Sequence, residues 1–278
     1  ERDRDVWLDP LTRGSALHDI YATMLRRCRD EQRRPDHQKD GPWLRDLATS
    51  RLVELSREMP AATEEIFERE SKEFLSDLDL FLEAECQDRT RTPIGFEVSF
   101  GRPLDEDAEP LARAEAVEVA LPDGLTFRIA GRIDRIDRVG TSFEVLDYKT
   151  GGYWPAGWQG TFAGGTRLQH ALYGVAAAQL LRSQRKDASV TAGVYYFSSR
   201  KGRQERVRIP APTPQQVAAV LKDLRAVIMG GAFVHAPDSD TCTFCDYQAA
   251  CGEHVNQQAV TKMQDHKLKA YGRLAAHV

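Results

Sequence analysis

Apolar residues recur at helical spacing from Gly14 to about Arg34, where Leu17, Ile20, Tyr21, Met24, Leu25 and Cys28 form one stripe and Ser15 stands as the expected cap. A charged, largely helical stretch follows, with breaks expected near residues 35–42 and at Pro60. Its second half opens with Thr63-Glu64-Glu65 and runs to about Gln87. Period-two alternation then takes over and predicts strands at Ile94–Phe100, Ala112–Leu121, Leu125–Arg138 and Ser142–Thr150. A loop rich in Gly and Trp, residues 151–165, leads to a helix over Thr166 to about Gln184. A strong strand at Val190–Ser198 and a short one at Arg206–Ile209 come next. Thr213 and Pro214 sit at the cap and first position of a helix reaching Met229, and a cysteine-bearing segment and a polar terminal helix complete the pattern. The order predicts an α/β (α+β) fold with a mixed sheet flanked by helices. One domain is expected over 1–278: a helical region at 14–90, a sheet core at 91–210, and a C-terminal helix, cysteine segment and tail at 211–278.

With 278 residues, 41% of them hydrophobic, the chain has ample apolar surface for such a core. No apolar run reaches membrane-spanning length, and the start has no signal-peptide character, so no membrane partner is expected. The absence of an initiator Met reads as a piece of a longer protein. A net charge of −4 and a pI of about 6.0 argue against a chain coated in nucleic acid but leave room for a local basic groove. Five cysteines, three of them within ten residues, point away from a disulfide framework and toward a reducing intracellular setting.

The segment from Gly131 to Lys149 changes the picture. Both flanks alternate, and Val139-Gly-Thr-Ser142 supplies a turn, so it reads as a β-hairpin. A two-residue loop at Gly140-Thr141 pairs Val139 with Ser142 and sets Asp134 directly opposite Asp147, on a shared face. Lys149 lies two residues on and faces the same way, while Tyr148 points to the other side. Two carboxylates and an ammonium on one patch suit a hard divalent cation beside a group that handles water or an oxyanion. The bland alternative is a surface ladder of ion pairs, since Arg132, Arg135 and Arg138 alternate with the acids. The same register sets Arg132 opposite Lys149, a like-charge pairing that a bound phosphate, splayed strands or a slipped turn would relieve.

Gly131-Arg-Ile-Asp134, then Val-Leu-Asp147-Tyr-Lys149, then Gln169-x-x-x-Tyr173 resembles the PD-(D/E)XK nuclease superfamily. The likeness is to its RecB/AddB branch, the nuclease domains of bacterial helicase–nucleases. Gly14-Ser-Ala-Leu-His18 is similar to that branch's upstream Gly-x-x-x-His element, and the ordered set covers about Gly14 to Cys251. The resemblance implies a restriction-endonuclease-like core, α-β-β-β-α-β, with a helical insertion before the meander. It also implies a Mg2+- or Mn2+-dependent deoxyribonuclease, an exonuclease on single-stranded DNA in break repair and recombination. A helicase domain or subunit is the expected partner and the bacterial cytoplasm the expected setting. A non-catalytic nuclease fold that holds DNA or a partner is the alternative.

By the same resemblance, His18, Asp134, Asp147 and the Tyr148 carbonyl hold the metal, Lys149 serves the attacking water, and Gln169 with Tyr173 supports the centre. On periodicity alone His18 reads as a packed helix residue, and Gln169 with Tyr173 as an amide and a core tyrosine one turn apart. Glu97, between Phe96 and Val98, reads as an ordinary exposed strand glutamate. Cys242, Cys245 and Cys251 have metal-ligand spacing and resemble most of the branch's iron–sulfur signature. A fourth cysteine would lie ahead of Gly14 and none is present there, so a 4Fe–4S cluster of the parent protein is expected to be incomplete or absent in this piece. Cys28 and Cys86 read as small core or surface residues. Arg200, Lys201 and Arg203, in the loop after the last strong strand, are the candidate phosphate contacts. Tyr153, Trp154 and Trp158 would either stack on unpaired bases or plug the fold.

Overall fold

Asp9 accepts hydrogen bonds from the Leu11 and Thr12 N–H groups with Pro10 in the first turn, so helix α1 (Pro10–Asp30) starts nearly two turns before the expected Ser15 cap. The computed structural model describes residues 5–121, 124–231, 242, 245, 247–252 and 254–278. Helix α2 (His37–Glu58) begins at the Asp36 cap and continues through Pro42, so the expected break there is confined to residues before it. Helix α3 (Glu64–Gln87) opens at Thr63, whose hydroxyl accepts from Ile66 N–H, with Glu64 and Glu65 favouring the positive helix end.

Two compact units are distinguished, Glu1–Glu118 with Arg128–Trp158 and Gln169–Ala211 in the first, and Val119–Phe127 with Gln159–Leu168 and Pro212–Val278 in the second. The first holds a five-stranded mixed sheet in the order β1 (Thr92–Phe100), β4 (Gly131–Val139), β5 (Ser142–Tyr148), β6 (Val190–Tyr196), β7 (Arg206–Pro210). Only β5 and β6 run parallel, and helix α4 (Gln169–Arg182) connects them. The short strands β2 (Val117–Ala120) and β3 (Thr126–Ile129) form a separate ladder, so the long strand expected over 125–138 is split at Ala130. This is the mixed α/β architecture of a restriction-endonuclease-like fold.

Each face of the sheet has its own core. On one side Leu17, Tyr21, Leu52, Phe74 and Phe81 from α1–α3 close over Phe96, Tyr148 and Tyr196. On the other, Ala176, Ala177 and Leu180 of α4 cover Val98, Ile133, Ile136 and Val145. Full burial of each large side chain contributes roughly 1.5–3 kcal/mol. The alternation breaks at one place. Phe96 and Val98 belong to opposite cores although residues two apart in a regular strand share a face, and Glu97 between them has φ 50°. Opposite them, Ile133 faces α4 while Arg135 reaches Glu85 of α3. Both strands therefore kink at Glu97 and Asp134.

In the second unit, α5 (Pro214–Met229) starts with a reciprocal Thr213–Gln216 capping box. After the short helices α6 (Gln248–Cys251) and α7 (Val255–Lys262), helix α8 (Lys269–Ala275) docks on α5, where Arg273 and His277 meet Asp223 at 2.7 and 3.0 Å. Among the described residues, no helix is long and apolar enough to cross a membrane.

Candidate active site

The kink opens a fork in the sheet, and the acids gather there. The β4–β5 ladder follows the expected register from Val139–Ser142 to Arg135–Leu146, and Asp134 and Asp147 come next along it. At this point β4 turns away, and the Asp134 carboxylate takes up the Tyr148 N–H at 2.9 Å. Arg132 turns to Glu97 at 2.8 Å and Lys149 forms an ion pair with Asp147, so the feared Arg132–Lys149 repulsion is relieved by splayed strands.

His18 enters from α1. A Cβ at Gly14 would lie 3.4 Å from Thr150 Oγ1, which places this turn of the helix in contact distance of the residues that follow β5. One turn later, His18 Nδ1 stands 3.5 Å from Asp134 Oδ2. Burial holds the His18 pKa below its ordinary value, against the pull of Asp147, which leaves a neutral ring with a lone pair to give.

Within this group, one ligand atom each from His18, Glu97 and Asp134 lies within 4.8 Å of the others. Around an octahedral ion with bonds near 2.1 Å, donors are about 3 Å apart at adjacent corners and about 4.2 Å across. Small side-chain movements would therefore close the set on one cation. Glu97 Oε1 is buried with no hydrogen-bond partner, which marks the side from which a positive charge is missing. Burial, and then the Asp134 charge, push the Glu97 carboxyl up to about 7. Burial raises Asp134 despite the Tyr148 N–H; it raises Asp147 too, which also feels the Asp134 charge. Three acids that resist ionising together are what a bound divalent cation would stabilise.

Glu97 corrects the sequence reading. Its side chain is 8% exposed and takes part in the cluster, because the kink reverses the alternation that would have sent it to solvent. The signal available in the sequence was its place across β1 from Asp134. Of the alternating arginines, Arg132 and Arg138 are exposed, whereas Arg135 is 1% exposed, bound to Glu85 at 2.9 Å and Asp137 at 2.6 Å.

Lys149 is fixed from three sides, by Asp147, by Gln169 Oε1 at 3.3 Å and by the Tyr195 ring face at 5.4 Å. Gln169 opens α4 and hydrogen-bonds Tyr173, whose ring sits edge-on to Phe100 at 6.1 Å. Tyr148 turns the other way, its ring in the helix-side core and its hydroxyl 3.2 Å from Arg135 Nη1. A cavity of about 430 Å3 adjoins His18 and Lys149, walled by Pro10, Leu11 and Phe197. Trp158 and Tyr153 pack on Phe197 and plug the fold, whereas Trp154 is 70% exposed.

Arg200, Lys201 and Arg203 are exposed on the β6–β7 loop, where Asp77 accepts the Arg200 N–H at 2.7 Å. Cys242, Cys245 and Cys251 lie in the second unit, and Cys245 Sγ accepts from Tyr247 N–H at 3.4 Å. Among the described residues they do not form a ligand cluster as tight as that at the fork. Cys28 is buried in the first unit and Cys86 half-buried.

No match is found among curated proteins. The family model of the PD-(D/E)XK nuclease superfamily matches residues 2–252, nearly the whole chain and both strands of the fork. The members of this superfamily are nucleases that generally depend on divalent metals. The chain belongs to the PD-(D/E)XK nuclease superfamily.

Proposed function

We propose that the protein is a Mg2+- or Mn2+-dependent deoxyribonuclease that acts as an exonuclease on single-stranded DNA. In this reading it is the nuclease domain of a RecB/AddB-type helicase–nuclease of the bacterial cytoplasm, working in double-strand-break repair and recombination beside a helicase motor. The observation that carries the reading is the fork, where His18, Glu97, Asp134 and Asp147 converge next to a cation already held in place, Lys149.

His18, Glu97, Asp134, Asp147 and the Tyr148 carbonyl would hold the ion. When bound, it supplies Lewis-acid activation of a water and neutralises charge on the phosphate. Lys149, steadied by Asp147 and Gln169, orients the water and offsets charge that builds on the phosphoryl oxygens. Tyr173 holds Gln169 in turn. The new oxygen–phosphorus bond forms in line as the bond from phosphorus to the 3′ oxygen breaks; the attacking water gives up a proton to solvent, and the 3′ oxygen takes one from solvent and leaves as a hydroxyl. Arg200, Lys201 and Arg203 offer phosphate contacts, and exposed Trp154 a stacking surface. Cys242, Cys245 and Cys251 would belong to an iron–sulfur staple of the parent protein with no part in hydrolysis.

The test is cleavage of end-labelled single-stranded DNA with Mn2+ or Mg2+ by wild type, Asp147→Ala and Lys149→Ala, with folding checked by circular dichroism. Each substitution is expected to lower the rate by at least about 100-fold. Equal cleavage by all three proteins would remove the assigned site, and a folded, inactive wild type would turn the reading to a DNA-binding fold.

A further inference from the structure

On the face of the sheet opposite the carboxylates, α1, α3 and the start of β1 enclose a cavity of about 350 Å3 lined by five arginines and two acids. Three of those arginines are already neutralised: Arg29 by Glu109 at 2.6 Å, Arg33 by Asp40 at 2.6 Å and Arg91 by Glu144 at 3.3 Å. Arg34 meets backbone carbonyls, and Arg135, though held by two acids, keeps one donor unmet. Arg34, exposed at the rim, hydrogen-bonds the backbone carbonyls of Asp88 at 2.9 Å and Arg89 at 3.4 Å. Arg135, 1% exposed, gives Nε to Asp137 and Nη1 to Glu85, which leaves its Nη2 buried with no hydrogen-bond partner.

A buried charged donor left unmet is destabilising, so Nη2 calls for an acceptor. One water would serve it, but a water occupies about 30 Å3 and needs several polar partners. The walls combine polar groups, among them Gln32 and Thr92, with the apolar side chains of Leu25, Pro93 and Ile94, and the volume is that of a small-ligand site rather than of one water.

We infer that this cavity binds a small organic anion, with a carboxylate or phosphate-monoester head bonded by Arg34 and Arg135 and an apolar body against Leu25, Pro93 and Ile94. Guanidinium groups suit both heads because each presents oxygen pairs to a planar donor fork. The site is separate from the fork, although Arg135 directly follows Asp134 in β4. It does not depend on the nuclease reading.

Isothermal titration calorimetry in EDTA tests it, with deoxyadenosine monophosphate, benzoate and inorganic phosphate as probes at constant ionic strength. Wild type is expected to bind at least one of the two organic anions more tightly than about 1 mM, and inorganic phosphate at least about tenfold more weakly. Which organic probe wins distinguishes a phosphate-ester head from a carboxylate. Arg34→Ala, at an exposed position, should weaken binding at least about tenfold, and Ile94→Trp, which fills the cavity, should abolish it. Lys149→Ala should leave binding unchanged, which separates this cavity from the fork. Failure of both organic probes, affinity no better than that of inorganic phosphate, or equal affinity in Arg34→Ala or Ile94→Trp overturns the inference. Loss of binding in Lys149→Ala does so too, by placing the probe at the fork.

Discussion

Glu97 shows how much one backbone angle decides. A left-handed φ of 50° turns its carboxyl from solvent into the fork, beside Asp134. Because its carboxyl titrates at about 7 when folded, against an ordinary 4.5, the folded protein keeps a proton that the unfolded chain has released. The contribution to stability therefore declines as pH rises from about 4.5 to about 7 and is flat above. Glu97→Gln is expected to raise the stability of the metal-free protein by roughly 1–3 kcal/mol at pH 8 and by almost nothing at pH 4, as read by urea denaturation. The reverse ordering would mean that the Arg132 pair outweighs burial and holds Glu97 as an anion. Arg135 is the opposite case, a buried cation already held by two acids. Arg135→Met would leave Glu85 with Arg206 alone and Asp137 with only Arg91 at 4.0 Å, and is expected to cost about 3–5 kcal/mol in the same measurement.

At the scale of elements, α4 carries Gln169 to Lys149 because it lies unusually close to β6. A Cβ on Gly193 would fall 2.4 Å from His170 Cβ. Gly193→Ala is thus expected to push the first turn of α4 outward, destabilising the fold by roughly 1–3 kcal/mol. The measurement is thermal and urea denaturation, and an unchanged midpoint would show that the helix tolerates the shift. The hairpin was legible from alternation and loop length down to its register, since a period of two rules out a one-residue slip of Ile136 and Val145 out of the core and the two-residue loop selects among the pairings that remain. The place of His18 in the site came only from the likeness of Gly14-Ser-Ala-Leu-His18 to the Gly-x-x-x-His element, since periodicity alone read it as a packed helix residue. What alternation could not show is where it fails. The kink at Glu97 and Asp134 reverses faces, the split at Ala130 interrupts an unbroken pattern, and the burial of Arg135 depends on Glu85, fifty residues earlier in the sequence. The early start of α1 rests on Asp9 and Pro10, which precede the apolar stripe and so fall outside its periodicity.

At the scale of the molecule, the helix layer and the sheet of the first unit are joined by charge as well as by apolar packing. Glu85 and Asp88 at the end of α3 bind Arg135 of β4 and Arg206 of β7. On the other side of that brace the fork gathers Glu97, Asp134 and Asp147, whose carboxyls burial raises even though Arg132 and Lys149 pair with two of them, so the fold carries a destabilised patch where a cation would bind. Binding there should raise the stability of the whole unit by about 2.7 kcal/mol at a metal concentration 100 times the dissociation constant. The most direct test is an electron paramagnetic resonance titration of Mn2+ at pH 8 with wild type, Asp134→Asn and Cys242→Ser. A metal centre at the fork predicts a Mn2+ site that is weakened at least about tenfold in Asp134→Asn and unchanged in Cys242→Ser. Mn2+ affinity equal in wild type and Asp134→Asn would contradict it.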